Sequence, residues 1–253
     1  MKKGICLILA SLILISVFCI TAYADSLDLI IPVFSLRAGG GSSGGGGSSG
    51  GSSSSHSSHT GRQPTLLESI VNYIMMPIVL LSSTIVSYIR LTRRSKKAKM
   101  LMKQMKKSDE AWKYNNLFSD VKESFLTIQN AWTNMDMTPA SSCMSEDLLN
   151  KFQTKLNWMN YKNQKNVLEQ IQLVKALPVA VHDDPDNSRD YAWFYIKGKM
   201  VDYTIDTHTH LVIDGSTRCS SFVEYWQFVR KDNRWVLNKI LQKNEENQIP
   251  FTE

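Results

Sequence analysis

Apolar positions along this chain concentrate in two charge-free blocks near the N-terminus and in periodic stretches after residue 108. Leu7–Ile20 is the first block and Ile70–Ile89, which carries no formal charge, is the second. A helix of that second length spans about 30 Å, the hydrocarbon thickness of a bilayer. Beyond residue 108, Phe118, Val121, Phe125, Ile128 and Trp132 step by three and four, which predicts one buried helical stripe. Ser108, Asp109 and Glu110 read as the N-cap and acidic first turn of that helix, and Met135–Pro139 ends it. Ser145, Glu146 and Asp147 start a second helix, with Leu149, Phe152, Leu156 and Met159 as its stripe.

The period then changes to that of strands. Ile171–His182 reads as a strand with an edge or bulge at Pro178. Asp183-Asp184-Pro185-Asp186-Asn187 is a turn signal, and Tyr191–Asp206 a long bent strand. Asp214-Gly215 reads as a second turn. Phe222, Glu224, Trp226 and Phe228 alternate with Val223, Tyr225, Gln227 and Val229, and Asp232-Asn233 turns into a last strand, Trp235–Leu241. Helices followed by antiparallel strands predict an α+β domain with its helices on one face of a curved sheet. All six tryptophans fall in this region, and aromatic stripes of this kind mostly form core.

The apolar blocks read as targeting and membrane segments. Residues 1–24 have the layout of a signal peptide: Lys2 and Lys3, an apolar core, then Ala22-Tyr23-Ala24 as a cleavage pattern. An uncleaved signal anchor is the alternative. Residues 25–65 contain a run of Gly and Ser that buries no apolar surface, hence a flexible extracytoplasmic tether, with His56 and His59 as solvated residues. Residues 66–89 read as one transmembrane helix, bracketed by Glu68 and Arg90, with Tyr73 and Tyr88 near the interfaces.

Charge sharpens this layout. The net charge of +6 is concentrated in residues 90–107, which hold nine basic residues and no acid, whereas 108–253 holds 16 basic and 20 acidic residues. The cations are Arg90, Arg93, Arg94, Lys96, Lys97, Lys99, Lys103, Lys106 and Lys107. A basic flank stays on the cytoplasmic side, so the C-terminal domain is expected there with the signal cleaved or retained. The same cations are candidate contacts for anionic lipid. Leu101, Met102 and Met105 interleave with them, which leaves open an amphipathic helix lying on the membrane. With the domain itself slightly acidic, the overall charge gives no ground for nucleic-acid binding. Cys143 and Cys219, far apart, form no disulfide framework.

Several segments after residue 108 resemble Tim44-like domains. Phe125-Leu-Thr-Ile-Gln-Asn-Ala-Trp132, followed by Asp136, is similar to their first helix, and Asn166-Val-Leu-Glu-Gln-Ile171 to the start of their first strand. Asp202-Tyr203, Phe222-Val-Glu-Tyr-Trp-Gln-Phe-Val-Arg230 and Trp235-Val-Leu-Asn-Lys-Ile240 resemble their sheet. The resemblance covers roughly residues 108–245. It implies an NTF2-like cone with a pocket between helices and sheet, for which Trp132, Asp202, Tyr203, Glu224 and Trp226 are candidates. It also implies a membrane-tethered module that binds protein segments or lipid in membrane-associated assembly or transport.

The alternative is an NTF2-like isomerase or dehydratase acting on a small apolar substrate, with Asp202, Tyr203, Glu224 and Tyr225 supplying acid and hydroxyl groups. Glu224, between Phe222 and Trp226 on one face, is expected to be buried and paired, with Arg230 or a lysine as partner. Asp206-Thr-His-Thr-His210 offers two histidines at zinc-like spacing but no further histidine downstream, so it reads as a polar hairpin tip. With no nucleophile elbow, phosphate loop or clustered metal spacing, neither an enzyme nor a cofactor or metal is expected.

Overall fold

The computed structural model describes residues 66–185, 189–232 and 234–251, and for 66–81 and 83 the backbone alone. The expected signal segment 1–24 and tether 25–65 lie outside the described residues, as do most side chains of the expected membrane span. Among the described residues no helix is long and apolar enough to cross a membrane. The chain divides into two compact units, whose described parts are 66–90 and 91–251.

Helix α1 runs without interruption from Leu66 to Met105. In the first unit its described apolar side chains Ile85, Val86, Tyr88 and Ile89 are 55, 51, 61 and 44% exposed. In the second unit it becomes two-sided. Leu91, Ser95, Ala98, Met102 and Met105 recur at helical spacing and face inward, with Ala98 and Met102 each only 1% exposed. Arg93, Lys96, Lys99 and Lys103 face solvent. Leu101, Met102 and Met105, for which the sequence leaves a membrane-lying face open, thus pack in or against the domain core.

Ser108 does not cap the next helix; its hydroxyl donates to the Met105 carbonyl. Asp109 instead accepts from the Ala111 N–H and caps a short 3-10 turn, Glu110–Trp112. Helix α2, Tyr114–Thr133, follows, with Val121, Phe125, Ile128 and Trp132 buried as their spacing predicts. Helix α3, Glu146–Tyr161, begins after Ser145, whose hydroxyl makes no cap bond. Its stripe is Leu148, Phe152, Leu156 and Met159, with Leu149 only partly buried. Trp158, one step off this stripe, is 59% exposed, whereas the other five tryptophans are buried.

Strands β1 (Gln164–His182), β2 (Tyr191–Asp206), β3 (Val212–Lys231) and β4 (Arg234–Gln242) form one antiparallel sheet in sequence order. β1 is an edge strand, and its pairing with β2 shifts register three times, including at Pro178. On the other edge, a parallel bridge joins Met144 to Leu237, whose N–H donates to the Cys143 carbonyl. The β2–β3 turn is not at Asp214-Gly215. It lies at 207–210, where the Asp206 carboxylate accepts from the His208 and Thr209 N–H groups. Gly215 belongs to β3 at φ +83, opposite Tyr203, where a Cβ would lie 2.5 Å from the Asp202 carbonyl oxygen.

The inner face of the sheet packs on α2. The Phe125 ring lies 5.5 Å from that of Trp226 and 6.4 Å from that of Phe222. Each such buried ring contributes about 1.5–3 kcal/mol relative to exposure. A second apolar cluster gathers Val179, Trp193, Tyr225 and Leu241 with Ile249, Leu91 and Phe251.

Candidate functional site

One cavity of about 310 Å³ opens beside α3 and β4. Helical periodicity builds one wall: Leu148 and Phe152 belong to the buried stripe, and Lys151 and Lys155, four residues apart, stand at its edge. Asn238, Lys239 and Ile240 come from β4, and Trp132 from the end of α2. Three lysines and no acid line the cavity among the described residues. Trp132 and Phe152 meet edge to face at 5.5 Å, and the Lys155 ammonium lies 5.2 Å from the centre of the Trp132 ring. The arrangement combines an aromatic floor with a cationic mouth, which suits an anionic group carried on an apolar stem.

Trp132 is held from behind by a buried polar chain. Its indole N–H donates to Asn166 Oδ1 at 2.9 Å, and Asn166 Nδ2 donates to Asp202 Oδ1 at 2.9 Å and to the Tyr203 carbonyl at 3.1 Å. The side-chain amide supplies both donor and acceptor, so one residue bridges the helix end to two strands.

Of the five pocket candidates, Trp132 alone lines the cavity. Asp202 turns inward to Asn166, whereas the hydroxyl of the next residue, Tyr203, donates to Glu169 on the exposed side at 3.2 Å. Glu224 is fully buried, as expected. Its two carboxylate oxygens accept from the Trp226 indole at 2.9 Å and the Gln242 amide at 3.2 Å. Arg230 pairs with Asp109 and Asp190. Burial opposes ionisation of Asp109, but the Ala111 N–H and the Arg230 guanidinium outweigh it and hold this carboxyl below its usual range. Among the described residues no His, Cys, Asp and Glu cluster suits a metal, and Asp206 organises the His208–His210 turn. Lys151, Lys155 and Lys239 were not singled out from sequence; the signal was available in their positions at the rim of the α3 and β4 apolar patterns.

The basic stretch is split by its helix. Arg90, Arg93, Lys96, Lys99, Lys103 and Lys107 are exposed, while Arg94, Lys97 and Lys106 are partly buried. Arg94 donates to Glu246 at 3.0 Å, and Lys106 lies 3.9 Å from Glu110.

The sequence pattern of the Tim44-like domain matches residues 98–242. The chain belongs to the Tim44-like domain family. The match begins within α1, at the buried Ala98, so the Tim44-like pattern includes the last turns of the basic helix as well as α2, α3 and the sheet. No curated protein matches the chain. Among solved structures, the intermembrane space region of the chloroplast protein ARC6 is similar to it. That chain is 12% identical, aligned over 53% of this chain and 97% of its own length with a TM-score of 0.34.

Proposed function

We propose that this chain is a membrane-associated binding module, anchored through residues 66–89 with its Tim44-like domain on the cytoplasmic side. There it contacts anionic lipid and protein segments in membrane-associated assembly or transport. The observation that carries the reading is the change of surface along α1. Ile85, Val86, Tyr88 and Ile89 project from the helix uncovered, and the cations Arg90, Arg93, Lys96, Lys99 and Lys103 follow at once on its solvent side. Apolar side chains exposed on several sides of a helix call for cover, and a bilayer supplies it. Tyr88 and Arg90 are residue types favoured where the hydrocarbon ends. Membership of the Tim44-like family supports the same reading.

The role is binding rather than catalysis. Asp202 and Tyr203 diverge to opposite sides of β2, and both oxygens of Glu224 are engaged by Trp226 and Gln242.

Two measurements test the reading. The chain should stay with membranes through an alkaline wash, and protease added outside intact cells should leave the Tim44-like domain whole. Partition onto phosphatidylglycerol vesicles should fall about ten-fold or more when Arg93, Lys96, Lys99 and Lys103 are changed to glutamate, because each cation near an anionic surface contributes about 1 kcal/mol. Release by alkali, external cleavage, or unchanged vesicle binding would refute it.

A further inference from the structure

Lys151, Lys155 and Trp158 of α3 and Lys162, which caps its C-terminal end, are spaced by four, three and four, which places them along one ridge. Lys151 and Lys155 stand at the cavity, and Lys239 of β4 closes its other side. Trp158 is 59% exposed and meets Tyr161, 80% exposed, edge to face at 5.8 Å. Two adjoining aromatic rings left in solvent are uncommon away from a binding surface. From Leu148 through Leu168 the sequence holds no acid, and the acid next to the ridge on α3 is Asp147, one turn before Lys151.

We propose that the α3 ridge and its adjoining cavity bind an extended acidic peptide segment of a partner protein. Two of its carboxylates sit among Lys151, Lys155 and Lys239, and an apolar side chain lies on Trp158 and Tyr161. The geometry sets the length and the spacing. Lys151 to Lys162 is about 16 Å of helix, the reach of about five extended residues. Alternate side chains of such a segment face one way, about 7 Å apart, close to the rise of about 6 Å between Lys151 and Lys155. A cavity of about 310 Å³ is at the small end of ligand sites and takes one or two side chains rather than a whole cofactor. A peptide fits better than a bilayer, because a flat surface does not enter a cavity. The proposal deepens the protein-binding reading and rests on it.

The test uses the full chain in neutral detergent and a fluorescein-labelled peptide with glutamate, glutamate and phenylalanine at alternate positions of a serine backbone. Anisotropy should report binding that weakens with salt and vanishes for the glutamine version. Lys151→Glu with Lys155→Glu, and separately Trp158→Ala, should weaken it about ten-fold or more. Equal circular dichroism and unchanged vesicle partition of these variants show that the fold and α1 are intact. Absence of binding, or binding indifferent to these changes, overturns the proposal. So does a result in which Lys151→Glu and Lys155→Glu abolish adsorption to phosphatidylglycerol vesicles, which assigns the ridge to lipid. Crosslinking in native membranes separates this site from the broader reading: protein adducts that persist in the ridge variants refute the site alone, and no protein adduct with the native chain refutes the reading itself.

Discussion

The Arg94 guanidinium lies over the ring of Phe251, its central carbon 3.3 Å from the ring centre. The same side chain donates to Glu246 at 3.0 Å, and the Tyr225 hydroxyl donates to the other oxygen of Glu246 at 2.7 Å. A cation from the basic stretch is therefore committed to the C-terminal segment and the sheet. Arg94→Ala should destabilise the domain by about 1 kcal/mol, since the ion pair is partly solvated and the ring contact adds modestly. Hydrogen exchange should speed up in residues 91–98 and 243–251 together. Faster exchange in one segment alone would show that they are not coupled.

Asn166 joins Trp132 to Asp202, so its loss leaves the buried Trp132 indole N–H without its acceptor and takes a donor from Asp202. Asn166→Ala should cost about 2–4 kcal/mol in urea unfolding. Asn166→Asp keeps the acceptor for Trp132 but sets a carboxylate against Asp202, and should recover stability only when the solution is acidified.

Glu224 accepts from the Trp226 indole and the Gln242 amide. Glu224→Gln turns one acceptor into a donor facing a donor, and should cost about 1–3 kcal/mol although size is kept. Denaturant midpoints measure this; an unchanged midpoint would mean that the carboxylate is not a required double acceptor.

Asp109 has its pKa lowered from the ordinary value of 3.8. A carboxyl lowered by folding adds stability that is complete above the unfolded value and lost as pH falls through the folded one. Acid titration of unfolding should thus show a contribution from this group disappearing below about pH 4. Asp109→Asn should flatten that part of the profile and leave the rest unchanged.

Gly198 lies opposite Phe222, and a Cβ there would come within 2.3 Å of the Phe222 ring. Gly198→Ala should therefore displace the ring and cost about 1–3 kcal/mol by overpacking. Phe222→Leu should relieve part of it when combined, as a double-mutant cycle reads out.

Much of the fold was legible because local chemistry and tertiary packing agree. The aromatic and β-branched run Tyr191–Asp206 is a strand over the same residues, and the stripes of α2 and α3 are buried nearly as spaced. The failures have local causes. Asp214-Gly215 has turn chemistry, but its glycine serves the left-handed backbone of an irregular strand, while the Asp206 carboxylate organises the turn upstream. The inward stripe of α1 was hidden by the lysines around it, since Ala98 and Met102 carry little signal beside so much charge. The candidate site was less legible still. Trp132 was identified, but whether Glu224 faces a cavity or a neighbouring indole depends on the Gln242 pairing across strands, which spacing within one strand does not reveal.

The two margins of the sheet are finished in different ways. β4 is bridged at its middle, at Leu237, by Cys143–Ser145, while β1 is broken by three register shifts, one of them at Pro178. A long straight row of open amides would act as a template on which further copies could stack. Neither margin offers one, so many such domains crowded together would resist growing into fibrils.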